Sequence, residues 1–290
     1  MARQTKMTIG AINIKIHPHT PQTYIELFND VIKLKRRASL RGDIYGHLSS
    51  FSFLNRDETL GFKGFIYKYL NIDPNEPWFD VDEEKVVDKE QMLQVEVLKK
   101  VKPHFSHFMY LFIPKYHRFF FTTYYDKKSI SPSSVERFLK GVFYHPDILE
   151  KYGEVDVIVE PSIDGLEKIF KIPTLERLEL LITKPNPDDH DEAEQKLLQR
   201  LGRLKAKRLK EEYVAESRSS IEPDDELRTL SRIAASNGYV WASGKDLEGK
   251  AVQESTTEHP YEEPVWYASD ENPDRIFVAG AQGMMETIKR

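Results

Sequence analysis

The sequence predicts an α+β protein built on a mixed or antiparallel sheet, followed by a basic helix and a small C-terminal αβ module. Short alternating runs that indicate strands recur through the first 183 residues, and helical spacing separates them. The most apolar stretch, residues 104–125, has the form of a hairpin. Because this mixed order occurs twice, two split ferredoxin-like halves sharing one sheet are the expected arrangement.

The first elements are a strand, a helix and two further strands. Apolar residues alternate over residues 7–16, which predicts a strand. Helical spacing covers residues 21–40, with Thr20 as the predicted N-cap residue. Residues 44–54 and 60–70 are strand-like and are joined by a polar turn.

The central hairpin carries apolar side chains on both of its faces. A turn at Pro114 and Lys115 would place Phe112 opposite His117 and Leu111 opposite Arg118. One face then holds Phe108, Tyr110, Phe112, Phe119 and Phe121, and the other holds Met109, Leu111, Ile113, Tyr116, Phe120 and Tyr124. Such a hairpin lies in the middle of a sheet covered on both sides, or it reserves one aromatic face for a ligand.

The remaining elements lie on either side of a proline-rich boundary at residues 184–187. Before it we expect an acidic surface loop over 71–90, a strand or helix over 91–101, a helix over 131–144, a strand over 155–159, a helix over 163–170 and a strand over 174–183. After it we expect helices over 188–212 and 222–236, a hairpin of 239–243 with 250–255, and a polar C-terminal stretch with isolated anchors. The predicted domains are therefore 1–187 and 188–290.

Composition excludes several classes of protein. The chain has no cysteine, so it forms no disulfide and no zinc–thiolate site. It also lacks a long apolar run and a signal-peptide core, so we expect a cytoplasmic protein without a membrane partner. The motifs of P-loop NTPases, serine hydrolases, kinases and zincins are absent, and no cofactor is predicted.

Two basic clusters interrupt a chain whose net charge is −5. The first has five cations in nine residues with no acid between them: Lys33, Lys35, Arg36, Arg37 and Arg41. The second follows helical spacing at i, i+4, i+7 and i+11: Lys196, Arg200, Arg203 and Lys207. Each pattern fits a surface that binds phosphates, although such a cluster, taken separately, more often marks a solvated face whose charge balances the acidic residues at 188–194 or 71–90.

An aromatic strand gives a second indication of nucleic-acid binding. Residues 61–67 read G-F-K-G-F-I-Y, which resembles the central strand of RNA-recognition folds, where aromatic rings stack on bases. Ile66 departs from that pattern, which requires a small residue at its position. The alternative is that these rings lie in the core, where burial contributes a comparable free energy.

Histidines supply the candidates for chemistry. His107, His117 and Arg118 could serve a metal-independent ribonuclease as general base and phosphate clamp, with Tyr116 as the acid. The alternation of strand residues places His117 on the opposite face from His107, unless the register slips by one residue.

A metal site is the other reading of the histidines. His17 and His19 could bind a metal together with His47 or Asp73. A polar strand end explains the first pair better than a metal site does, and we predict no metal site.

Several segments resemble an uncharacterised bacterial family of about this length. They are I-K-I-H-P-H-T-P, L-R-G-D-I-Y-G-H-L, I-D-P-N-E-P-W-F-D, L-E-L-L-I-T-K-P-N-P-D-D and A-A-S-N-G-Y-V. The resemblance implies a protein without an assigned activity that occurs on mobile elements and near phage-defence genes. It transfers no catalytic motif.

These observations lead to three hypotheses about function. The first is a non-catalytic component of bacterial antiviral defence that binds RNA or DNA through the two basic clusters. The second is a toxin-like, metal-independent endoribonuclease. The third is an interaction subunit of a homo- or hetero-oligomer, in which the charged faces meet a partner protein or a second copy.

Overall fold

A computed structural model describes residues 3–17, 19–73, 76–87, 101–185 and 192–288. The helices in these ranges are α1 Pro21–Lys33, α2 Pro132–Phe143, α3 Pro146–Tyr152, α4 Ile163–Phe170, α5 Glu192–Leu204, α6 Asp225–Asn237 and α7 Pro273–Ile288. The strands are β1 Gln4–Lys15, β2 Ala38–Arg41, β3 Ile44–Leu48, β4 Ser52–Phe53, β5 Phe62–Leu70, β6 Phe79–Asp80, β7 Lys85–Val86, β8 Ser106–Ile113, β9 Arg118–Tyr125, β10 Lys128–Ser129, β11 Asp156–Val159, β12 Thr174–Thr183, β13 Arg208–Val214, β14 Gly238–Lys245, β15 Ala251–Ser255 and β16 Glu262–Ala268. The predicted strand or helix over 91–101 lies almost wholly outside the described residues.

The main sheet has ten strands, and its central path runs β11-β1-β9-β8-β5-β3-β2. All pairings between strands in the described ranges are antiparallel. The sheet curls strongly into a half-barrel, so that helix α2 packs against both β2 and β11 although these strands end the path on opposite sides. The α+β class is confirmed, whereas the ferredoxin-like halves are not.

The aromatic hairpin lies in the middle of this sheet, and helices cover its first face and part of its second face. Its first face packs against α1, α2 and α3, and its second face packs against α7. The turn differs from the prediction, because a 3-10 turn over Pro114–Tyr116 and a left-handed His117 lengthen it. Phe112 therefore pairs with Phe119 instead of His117. A shift by two residues preserves the faces of Phe119, Phe120 and Phe121.

Helix α1 begins as the sequence predicts. The Thr20 side chain accepts a hydrogen bond from the Thr23 backbone N–H, and the Thr23 hydroxyl accepts one from the Thr20 N–H. This reciprocal cap satisfies donors that the first turn leaves without partners. The helix ends at Lys33, before most of the first basic cluster.

A second sheet, in the order β13-β12-β14-β15, packs on α4, α5 and α6. The sheets do not divide at the predicted domain boundary, since β12 pairs with strands beyond residue 187 and β16 returns to pair with β1. The helix predicted over 188–212 ends at Leu204, and Arg208–Val214 is a strand. Lys205 adopts the left-handed conformation that ends the helix, and alternate residues beyond it are exposed.

The hairpin predicted around residues 239–255 is confirmed as β14 and β15. The C-terminal stretch, predicted as polar with isolated anchors, contains β16 and α7. Within the described residues, no helix is both long enough and apolar enough to span a bilayer.

Candidate nucleic-acid interface

Five rings lie on the outer face of the main sheet, the face that α7 covers only in part. They are Phe65, Tyr67, Phe105, His107 and Tyr125, and we call them the aromatic surface. Strand alternation places Phe65 and Tyr67 on one side of β5, and it places Phe105 and His107 on the same side of β8 and the residue before it. Helix α7 packs over Met109 and Leu111, further along β8.

The rings of the aromatic surface form a continuous set of contacts. Phe65 and Tyr67 are nearly parallel, with centroids 6.3 Å apart and an interplanar angle of 10°. His107 lies 5.3 Å from Phe65, 6.1 Å from Phe105 and 5.9 Å from Tyr125. Phe65 is 37% exposed and Phe105 is 58% exposed. Aromatic side chains usually bury their surface, so a contiguous exposed group indicates a binding face.

One residue of the first basic cluster, Arg37, borders this surface. Ala38 pairs with Gly46 in antiparallel register, so Arg37 comes opposite His47. Burial, and then the charge of Arg37, lower the pKa of His47. The His47 ring in turn lies 5.1 Å from Tyr67. Lys33, Lys35, Arg37 and Arg41 are exposed, and Arg36 is half-buried. Lys33 is 3.9 Å from Asp30, in an exposed contact that leaves the side chain accessible to solvent.

The second basic cluster lies on the second sheet. Lys196, Arg200 and Arg203 are exposed on α5, and Lys207 follows in the turn before β13. Lys196 is 4.0 Å from Glu192, and Lys207 forms an ion pair with Glu154. In the part of the chain that is described, no contact joins this cluster to the aromatic surface or to the first cluster.

The three predicted catalytic residues occupy two different environments. His107 belongs to the aromatic surface, whereas His117 is 3% exposed and contacts the rings of His19 and Tyr24. Arg118 is paired with Ile113 across the hairpin, six residues along β8 from His107, which corresponds to about 20 Å. His107, His117 and Arg118 therefore do not form a single acid–base site.

His117 belongs to a buried polar junction between the two sheets. Lys15, fully buried, donates hydrogen bonds to Thr183 Oγ1 (3.0 Å), to the Lys184 carbonyl (3.3 Å) and to Asn237 Oδ1 (2.9 Å). Burial lowers the pKa of Lys15 to about 8. Burial, and then the neighbouring His19 and Arg118, lower the pKa of His117 to about 2. These groups hold the sheets together and leave the His117 ring inaccessible to a substrate.

His17 and His19 also belong to this junction. A ring nitrogen of His17 lies 3.3 Å from the Lys184 carbonyl, and Nδ1 of His19 lies 2.8 Å from the Ile16 carbonyl. Because a carbonyl only accepts, both nitrogens carry the proton. Among the described residues, no three histidine or acidic side chains are arranged to hold a metal ion.

A groove of about 1320 Å³ lies between the sheets. Its charged lining residues are Glu136, Lys140, Glu154, Asp156, Glu258 and Glu262. The one lysine among them, Lys140, forms a salt bridge of 2.8 Å with Glu136. An acidic lining repels phosphates, so this groove does not suit a nucleic acid.

The pattern of residues 61–67 indicates Phe65 and Tyr67 as possible stacking rings but does not indicate Phe105 or Tyr125. The signal for Phe105 was present, since it stands two residues before His107 in an alternating run. Tyr125 was not identifiable, because its position beside His107 depends on the register of β9 and on the bulge between β1 and β9.

A family model described as "Domain of unknown function (DUF4747)" matches residues 5–280. No curated protein matches the chain.

Proposed function

The chain belongs to the DUF4747 family, whose function is unknown, and we propose from its geometry that it binds single-stranded nucleic acid on the aromatic surface. The observation that supports this is the contiguous set of partly exposed rings, Phe65 and Phe105 above all, on the open face of a rigid sheet. Bases stack on such rings only when they are unpaired, so the ligand is single-stranded.

The energetics favour stacking by more than one base. A stacked base contributes on the order of 1–3 kcal/mol, so two or three bases on these rings contribute about 2–9 kcal/mol. A micromolar complex requires about 8 kcal/mol, so stacking needs the phosphate contacts as well to reach that affinity. The rings need little reorganisation, because β5 and β8 pair along seven residues and fix their backbones. Preorganisation of this kind reduces the entropy lost on binding.

The first basic cluster supplies the charge that the phosphates require. Arg37 lies beside His47, which contacts Tyr67, so a strand stacked on the rings would carry its backbone toward residues 33–41. The second cluster keeps its predicted role as a separate phosphate contact. Both clusters contribute through counterion release, which makes the affinity depend on salt.

The biological setting is part of the same proposal. The family resemblance implies a setting near phage-defence genes, and the composition predicts a cytoplasmic protein. We therefore propose a non-catalytic component of bacterial antiviral defence, in which a surface that binds single strands would detect or protect exposed nucleic acid. The ribonuclease hypothesis is supported only by the presence of His107 on the aromatic surface. Among the described residues, no geometry favours cleavage of RNA over binding.

Titration of labelled single-stranded RNA, single-stranded DNA and the matching duplexes at low and moderate salt tests the proposal. We expect single strands to bind more tightly than duplexes, with an affinity that falls as salt increases. Absence of binding at low salt would overturn it. Self-association, or capture of a defined protein partner in the absence of nucleic-acid binding, would instead support the interaction-subunit hypothesis.

A further inference from the structure

A small pocket lies beside Phe65, between the aromatic surface and the start of α7. Its volume is about 210 Å³. Its lining includes Lys63 and Phe65 on β5 and Asp274 on α7. This volume is several times the roughly 30 Å³ of a water molecule and falls below the range of about 300–1,000 Å³ typical of pockets for drug-sized ligands. It therefore has room for one small group.

The charged residues of this pocket form a donor–acceptor pair. Lys63 on β5 and Asp274 on α7 form an ion pair, and their side chains are 27% and 44% exposed. Both remain accessible to a ligand that enters beside Phe65. Burial, then Asp126 and then Asp274 raise the pKa of Tyr125. The Asp274 carboxylate therefore lies on the side of the aromatic surface where Tyr125 is found.

The geometry points to a guanine-recognition pocket, and this inference rests on the proposed function. The Watson–Crick edge of guanine presents the O6 acceptor beside two donors, N1–H and N2–H₂. The two oxygens of the Asp274 carboxylate match the two donors, and the Lys63 ammonium, which has three donors, can hold O6 while it keeps its contact with Asp274. Adenine, cytosine and uracil each lack the adjacent pair of donors that a carboxylate accepts together.

Phe65 gives the pocket its second means of recognition. Its ring lines the pocket and also stacks with Tyr67. A base inserted next to Phe65 would therefore continue the stack and would turn its edge toward Lys63 and Asp274. The general binding comes from the rings, and the preference for one base comes from the ion pair.

Fluorescence anisotropy with oligonucleotides of about 12 nucleotides tests this inference, a length within the site sizes of single-strand binding modules. The probes are oligo(U) and oligo(dT) that carry one central guanine, adenine or cytosine, or no substitution. We expect the guanine probe to bind about tenfold more tightly than the others. Asp274→Asn should reduce the ratio of guanine-probe affinity to oligo(U) affinity to about one, and each protein's own oligo(U) affinity is the reference for that ratio. Asp270→Asn, an exposed acid near the start of α7, is the matched control and should keep the preference.

The outcomes separate this inference from the proposed function. If no probe binds the wild-type protein, both fail together. If all probes bind equally, or if adenine or cytosine is preferred, the guanine pocket is refuted and the aromatic surface stands. Persistence of the preference in Asp274→Asn also refutes it. Should Asp274→Asn lose oligo(U) binding through misfolding, Lys63→Gln replaces it and must remove the preference.

Discussion

Arg118 Nε lies 2.7 Å from Glu160 Oε1, and both side chains are less than a tenth exposed. Arg118 also donates a hydrogen bond of 3.1 Å to the Tyr116 carbonyl. The Arg118 side chain therefore links the start of β9 to Glu160, the residue that follows β11. This contact explains why a residue predicted as a phosphate clamp serves instead to hold the main sheet together.

Replacing Arg118 alone should destabilise the protein strongly. Arg118→Met leaves the Glu160 carboxylate buried without its cation, which costs about 3 kcal/mol in the free energy of unfolding. The double variant Arg118→Met/Glu160→Met should recover at least half of that loss. Urea denaturation of the three proteins measures both effects.

The exposed pair of Lys140 and Glu136 provides the control for this cycle. It has a comparable distance, 2.8 Å, but the lysine side chain is 55% exposed. Lys140→Met should change stability by less than about 1 kcal/mol. Equal losses in Arg118→Met and Lys140→Met would contradict the structural role of Arg118.

The histidines of the junction should make the fold sensitive to acid. Burial lowers the pKa of His117 to about 2 and that of His17 to about 4. The unfolded chain titrates near pH 6.5, so below that value it binds more protons than the folded protein. The free energy of unfolding should therefore fall as the pH falls from about 6.5 to about 4, by up to about 1.4 kcal/mol per pH unit for each histidine.

His117→Asn should reduce this slope, because it removes one of the groups that the unfolded state protonates. Asparagine tolerates the left-handed backbone at this position, where φ is 58°. His104→Asn is the matched control, since His104 is exposed and has a φ of 56°. Urea midpoints measured between about pH 7 and about pH 4.5 give the slopes, and an unchanged slope in His117→Asn would contradict the prediction.

The first basic cluster should contribute to binding through phosphates and not through bases. Arg37→Gln should weaken binding to all single strands alike and should reduce the salt slope by about 0.7, the value for one phosphate contact on a single strand. Arg56→Gln, at an exposed arginine of the turn before β5, should leave both quantities unchanged. A loss confined to one base sequence would assign Arg37 to base recognition instead.

The sequence predicts the core of this fold better than its periphery. The faces of the hairpin follow from alternation, because Phe112 and Leu111 point to opposite sides whatever the turn length. Helix α7 escapes prediction because two glycines interrupt its pattern. Gly280 has a packing reason, since a Cβ there would lie 2.6 Å from Ile9 Cδ1, and its absence allows the helix to approach β1 closely.

The candidate site is harder to predict, because exposure depends on tertiary contacts. Alternation places Phe62 and Phe65 on opposite faces of β5, but it does not reveal that Phe62 is buried and Phe65 partly exposed. The difference arises because their side chains leave opposite faces of β5 and α7 covers only part of the outer face. The pairing of Lys63 with Asp274 joins residues 211 positions apart, which no local pattern indicates.

Binding of single-stranded RNA and DNA by Phe105→Ala, compared with Phe79→Ala, tests the central claim most directly. Phe105 is 58% exposed on the aromatic surface, and Phe79 is 59% exposed on β6, so the two variants remove the same side chain at equal exposure. We predict that Phe105→Ala weakens binding about tenfold, as the loss of one stacked base requires, and that Phe79→Ala stays within about twofold of the wild type. Equal affinities of the two variants would contradict the assignment of binding to the aromatic surface.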